Sequence, residues 1–196
     1  MRYCSLGSGS RGNATLIEYG TTRLLVDCGF SLRATEQRLA RAGLSAHQLT
    51  AILVTHEHSD HISGVERLAQ RYSLPVYMTA GTRHGMGSTD LPVRLIRFGE
   101  DIDIGDIRVT PVPVPHDARE PSQFIFDSGY HRLGVLTDTG SITPLITEMY
   151  SELDALLLEA NYDPHMLASG PYPRFLQARV GGALGHLSNQ QAAGLL

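Results

Sequence analysis

No lysine occurs in these 196 residues: all 16 basic side chains are arginine, against 20 Asp and Glu, for a formal net charge of −4. A domain that tracks nucleic acid usually advertises it with positive charge. Here any nucleic acid would have to be gripped locally, by a few arginines, rather than by a basic coat. Cysteine is nearly missing too: Cys4 and Cys28 cannot form a disulfide framework, and both are expected to be buried and reduced. No apolar run approaches a membrane span. The opening Met1-Arg2-Tyr3-Cys4-Ser5 lacks the apolar core of a signal peptide, so a cytoplasmic location is expected. What remains is a globular composition, 42% hydrophobic, long enough for one domain over residues 1–196 with a full core.

Against that background one stretch stands out, Thr55-His56-Glu57-His58-Ser59-Asp60-His61. Ahead of it, Ala51-Ile52-Leu53-Val54 reads as a strand buried on both faces. After it, Ile62, Val65, Leu68, Ala69 and Tyr72 recur at helical spacing, and the helix must stop before Pro75. The loop therefore follows the carboxyl end of a core strand, where open sheets place ligand crevices. A lone histidine is usually a surface or core residue, but three histidines and two carboxylates crowded into residues 56–61 are hard to explain as packing. In extended chain His56 and His58 point the same way, and Asp60 and His61 fall on the turn opening the helix. Neutral imidazoles with a carboxylate are ligands for Zn²⁺ or, with more oxygen, Mn²⁺ or Fe²⁺.

Other strand ends carry similar groups. Arg2–Leu6, Ala14–Tyr19 and Arg23–Val26 read as strands, with a Gly/Ser loop over Gly7–Asn13 that either presents N–H groups to a phosphate or is an ordinary turn. Asp27 ends the third strand and suits the job of accepting an N–H from a metal-bound histidine; a plain turn aspartate is the alternative. Ser31 caps a helix to about Ala42. Val76–Met78, Val93–Phe98, Ile107–Val114, Ser122–Phe126, Leu133–Thr137 and a buried Ala155–Leu158 complete the strands, and Pro144–Ser151 and Arg174–Arg179 the helices. His116, at a strand end between Pro113 and Pro115 on one side and Asp117 on the other, is taken as a third imidazole for the first metal. Asp117 and Glu120 have loop solvation as their alternative. Asp138, in a Thr-Asp-Thr-Gly turn, is either a turn former or the carboxylate that a pair of metals needs as a bridge. His47, His84 and His131 stand without partners in sequence and are read as non-ligands.

The H-x-H-x-D-H pattern resembles the metallo-β-lactamase fold. Ser5–Thr15, Pro115–Pro121, Leu136–Gly140, Leu158–Asn161 and Gly185–Asn189 look like its WalJ (YycJ) branch, which is related to ribonuclease Z and to the cyclic phosphodiesterase PhnP. The resemblance implies an α+β, four-layer αββα sandwich and a metal-dependent phosphodiesterase, with DNA exonuclease activity as the branch's role. It implies two divalent ions (Zn or Mn), one held by His56, His58 and His116, the other by Asp60, His61 and the shared Asp138. Asp27 then supports the metal loop, Asp60 also orients the nucleophile, and His186 donates a proton to the leaving group. Ser8, Ser10, Asn13 and Arg179 are candidates for holding a distal phosphate, with a turn or a surface ion pair as the alternative. Tyr162 stands where the family pattern tends to carry a histidine.

In that family a last metal histidine follows a further helix. The helix opening at Ser188 runs only to Leu196, so the chain is expected to lack the family's C-terminal strand and helix, and the second ion to bind more weakly. DNA or a nucleotide phosphodiester is the expected substrate, no membrane partner is expected, and the oligomeric state is open. The rivals are a small cyclic phosphodiesterase, a thioester or lactone hydrolase on the same motif, and a metal-stabilised domain without catalysis.

Overall fold

A computed structural model describes residues 1–196. The first sheet contains β1 (Arg2–Gly7), β2 (Ala14–Tyr19), β3 (Thr22–Val26), β4 (Ala51–Leu53), β5 (Val76–Met78) and β6 (Val93–Leu95), hydrogen-bonded in that order. β1 to β3 form an antiparallel meander, and β3 to β6 are parallel. The second contains β7 (Ile102–Ile104), β8 (Ile107–Pro113), β9 (Ser122–Asp127), β10 (Arg132–Leu136) and β11 (Ala155–Leu158), in the order β11-β10-β9-β8-β7. Only its β10–β11 pair is parallel.

Side chains alternate across a strand, and that alternation builds the layers. Leu24 and Val26 of β3, Ala51 and Leu53 of β4, and Tyr77 of β5 face Val109, Phe124, Phe126, Leu133 and Val135 of the other sheet. Their neighbours Leu25, Ile52 and Val76 face outward, onto Leu39 of α1 (Leu32–Arg41) and Val65, Leu68 and Ala69 of α3 (Val65–Tyr72). Ile125 and Leu136 pack the outer face of the second sheet against Ile146 and Tyr150, in and after α5 (Pro144–Met149). The result is the expected αββα sandwich. The remaining helices are α2 (Ser59–Ile62), α4 (Ala80–Gly85), α6 (Pro164–Ser169), α7 (Arg174–Val180) and α8 (Asn189–Ala193). None of the helices is long and apolar enough to cross a membrane.

The elements differ from the sequence reading at six places. The helix expected after the metal loop is split into α2 and α3, because the Gly64 N–H donates to the Cys28 carbonyl at 2.7 Å while the Asp60 carbonyl accepts from Asn13. β7 was not anticipated; it pairs with β8 across Gly105 (φ 59°), and the Asp106 carboxylate in that turn accepts from Thr21 and Thr22. β6 stops at Leu95 rather than Phe98, ahead of the turn at Gly99 (φ 82°). α6 is new too, although Asp163 caps it and Pro164 opens it, the usual start signal. β11, read as buried, is half-buried along its whole length, because it is an edge strand. Cys28 is buried as expected but Cys4 is exposed, since it lies on the edge strand β1.

Candidate metal centre

Five strand ends deliver polar side chains to one rim: β3 leads into Asp27, β4 into His56, β8 into His116, β10 into Asp138 and β11 into Glu159. The chain stays extended past β4 as far as His58, the N-cap of α2. His56 Nε2 lies 2.9 Å from His58 Nδ1, and His116 Nε2 lies 3.4 Å from the same atom. The facing nitrogens of all three are within 4.8 Å of one another.

The outer nitrogen of each ring is already engaged. His116 Nδ1 donates to the Gly185 carbonyl at 3.0 Å, and His58 Nε2 to the Asp117 carbonyl at 3.2 Å. His56 Nδ1 donates to Thr55 Oγ1 at 2.9 Å, and that hydroxyl donates onward to Asp27 Oδ2 at 2.9 Å. Those acceptors assign the tautomers, so three unprotonated nitrogens converge with no donor between them. Lone pairs aimed at one point, each ring steered from behind, fit a bound cation. The same burial opposes protonation. His56 is driven well below the usual imidazole range by burial and by the neighbouring His61, His116, His58 and His186. His116 falls to about 4, chiefly through burial.

A second group adjoins the first, with the His56 and His61 ring centroids 4.1 Å apart. His61 Nδ1 donates to Asp27 Oδ2 at 2.8 Å, which turns Nε2 toward Asp60 Oδ2 (3.6 Å) and Asp138 Oδ2 (3.5 Å). Burial lowers the His61 pKa, but Asp27, Asp138 and Asp60 outweigh it and raise it to about 9. The three carboxylates thus favour positive charge at that nitrogen, whether a proton or a metal. Asp27 also accepts from the Thr55 N–H at 2.8 Å, so one buried carboxylate orients the loop and two of its rings.

Asp138 lies between this group and His186, with Oδ1 at 3.6 Å from His186 Nδ1. His186 Nδ1 is 3.0 Å from Glu159 Oε2, whose other oxygen accepts from the Thr139 and Leu187 N–H groups. Asp138, Glu159 and His186 form a second trio of ligand-type atoms within 4.8 Å of one another. Asp138 is raised by burial and by Glu159 and Asp27, and His186 is raised by Glu159, Asp138 and Asp117 against the effect of burial. Asp27 and Asp138 both adopt left-handed backbone, with φ of 60° and 51°. Such strain in a non-glycine residue concentrates at functional sites.

The predicted cluster residues His56, His58, Asp60, His61, His116, Asp138, Asp27 and His186 are brought together. The remaining candidates fall at the rim. Asn13 reaches the cluster itself: its amide donates to Asp60 Oδ2 at 3.0 Å while its oxygen accepts the Gly9 N–H at 2.9 Å. Ser8 and Ser10 line the cleft and are exposed, and Arg179 lines it with its Nε bonded to Asp117 Oδ2. Asp117 and Glu120 do more than meet solvent. Glu120 Oε2 accepts the Gly81 N–H at 2.5 Å, and Asp117 Oδ1 stands 3.5 Å from His116 Nε2. Sequence reasoning missed the parts played by Glu159 and Thr55. The available signal for Glu159 was its position directly after an apolar strand, like Asp27 and Asp138. The cleft above the cluster has a volume of about 1110 Å³.

The model of the Beta-lactamase superfamily domain matches residues 22–196, and the chain belongs to that family. It is 36% identical over 198 residues to Exodeoxyribonuclease YycJ of Bacillus anthracis, an alignment covering 98% of this chain and 75% of that protein. Among solved structures, the metallo-beta-lactamase fold protein YhfI from Bacillus subtilis superposes with a TM-score of 0.72 at 19% identity, covering 94% of this chain and 73% of that one. Zn(2+)-bound PqqB from Methylobacterium extorquens follows with a TM-score of 0.70 at 20% identity, covering 91% and 71%. At these identities the two structures speak to the fold alone.

Proposed function

We propose that this chain is a metal-dependent hydrolase of phosphodiester bonds that degrades DNA from an end, as the name of its relative describes. The observation that carries the reading is the convergence of unprotonated imidazole nitrogens from His56, His58 and His116 beside the acidic group of Asp60, His61 and Asp138. The first trio would hold one divalent ion and the second group another, Zn or Mn, with Asp138 shared. Metal ions in such donor sets supply Lewis acidity toward phosphoryl oxygens and make water a nucleophile near neutral pH.

The protein's own groups do the rest. Asp27 fixes the His61 ring and, through Thr55, the His56 ring. Asn13 holds the Asp60 carboxylate, the group best placed to orient the attacking water. Glu159 engages His186 Nδ1, which leaves Nε2 to pass a proton to the leaving alkoxide.

The test offers the metal-loaded protein a 5′-phosphorylated linear duplex and a 2′,3′-cyclic nucleotide side by side. Release of mononucleotides from the duplex is the expected result. Turnover of the cyclic nucleotide alone would replace DNA with a small substrate, and turnover of neither would end the reading.

A further inference from the structure

The wall that α6 and α7 give the cleft is built unlike the rest of the molecule. α6 and α7 contain no buried residue, yet Met166, Leu167, Tyr172 and Leu176 from this pair and its connection line the same cavity as His58, His116, Asp138 and His186. Tyr172 is 52% exposed and Met166 73%. Large apolar groups left in water beside a polar centre mark a contact surface. Tyr172 is also held in place: Pro171 and Pro173 flank it and restrict its backbone, and Gln177 Nε2 donates to its carbonyl at 2.9 Å. An aromatic ring presented on stiff backbone loses little entropy when it is covered.

The charge lining the cleft identifies what covers it. Arg179 is the one arginine there, and Asp117 already shares its charge, while Asp27, Asp60, Asp138, Glu159 and Asp163 line it as well. Protein cations therefore contribute little to holding a phosphate chain, and metal ions grip only the phosphates beside them. A nucleobase has no charge to be repelled by this acidic lining and a π-face that stacks on any aromatic ring. At about 1110 Å³ the cleft exceeds the usual ~300–1,000 Å³ of a small-molecule pocket, so there is room for a base beside the reacting phosphate.

Building on the phosphodiesterase reading, we propose that Tyr172 is a stacking platform for an unpaired base of the DNA end next to the scissile phosphate. A duplex end reaches this platform by fraying its terminal pair. Binding by stacking rather than by cationic grip also depends weakly on salt, with a log–log slope of no more than about two in magnitude.

The test uses metal-loaded protein and two single-stranded oligonucleotides carrying fluorescent 2-aminopurine at the 5′ or the 3′ terminus. The protein has no tryptophan to interfere. Quenching of one probe on binding is expected, lost in Tyr172→Ala together with about a five- to hundredfold weakening of binding. Tyr172→Phe should retain both. An abasic residue at the quenched position should reduce the Tyr172→Ala penalty to about twofold or less. Equal quenching by wild type and Tyr172→Ala, or quenching of neither probe, overturns the platform even if DNA is degraded. Quenching without any hydrolysis leaves the platform standing and removes the catalytic reading instead.

Discussion

The end of β4 and the end of β11 both deliver side chains to the same cleft, and they are supported in opposite ways. Ala51, Ile52, Leu53, Val54, Thr55 and His56 are all buried, between helices on one side and the second sheet on the other. Ala155 to Leu158 are only half-buried, and the two helices that follow bury nothing. Metal-binding geometry tolerates little displacement, and it stands on the part of the molecule with the densest core. The α6–α7 wall, which would meet a varied polymer, stands on the part with the least, whereas His186 just beyond it is flanked by the buried Gly185 and Leu187. Local opening is cheapest where few apolar contacts are lost, so motion belongs to the substrate side.

Breaking the rigid side should cost most. His56→Ala removes an imidazole from the metal trio, and hydrolysis of a bis-aryl phosphodiester should fall by about a thousandfold or more, since a metal's contribution is several kcal/mol. Circular dichroism should stay that of the wild type. Unaltered turnover would show that the trio holds no catalytic ion. Next comes Asp27→Ala, which strips a buried carboxylate from Thr55 and His61. Urea unfolding should register a loss of about 3–5 kcal/mol, and metal titration a ten- to hundredfold weaker site on the order seen for orienting partners.

On the softer side, Glu159→Gln should lower kcat by about ten- to hundredfold with a smaller change in stability, because Glu159 is only partly buried. A stability loss matching that of Asp27→Ala would mean that the two regions are not so different. The smallest perturbation is proteolysis of the native protein. Trypsin should cut at Arg174 or Arg179 of α7 well before Arg67 or Arg71 of α3, and mass spectrometry of the first fragments decides. In the same preparation, Cys4 should react readily with a thiol reagent while Cys28, buried and with its pKa pushed up to about 11, stays unlabelled until unfolding.

The legibility of the sequence follows the same division. The cluster could be read because β4 is continuous and apolar and three histidines follow it at once, which leaves packing no role. β2 and β5 were bounded as observed, since turn residues flank each apolar run. Burial of β11 was misjudged because Leu156-Leu157-Leu158 has the composition of a central strand, and only the topology shows that nothing pairs with its outer edge. The break at Gly64 depends on a backbone hydrogen bond to Cys28, more than thirty residues away, and no local pattern carries that. Glu159 escaped for a related reason: its partner His186 is 27 positions away and meets it only once the second sheet has formed.

The left-handed backbone at Asp27 and Asp138 also opens a practical route. Asparagine shares with aspartate the ability to adopt that conformation, so exchanging oxygen for an amide at Asp138 keeps the turn while removing a charge that draws cations in; at Asp27 both oxygens already accept hydrogen bonds, and an amide there would set donor against donor. A folded, inert twin with the cleft's shape largely preserved is therefore within reach of one isosteric change. Such a twin would hold its nucleic acid without consuming it, long enough for the bound end to be seen.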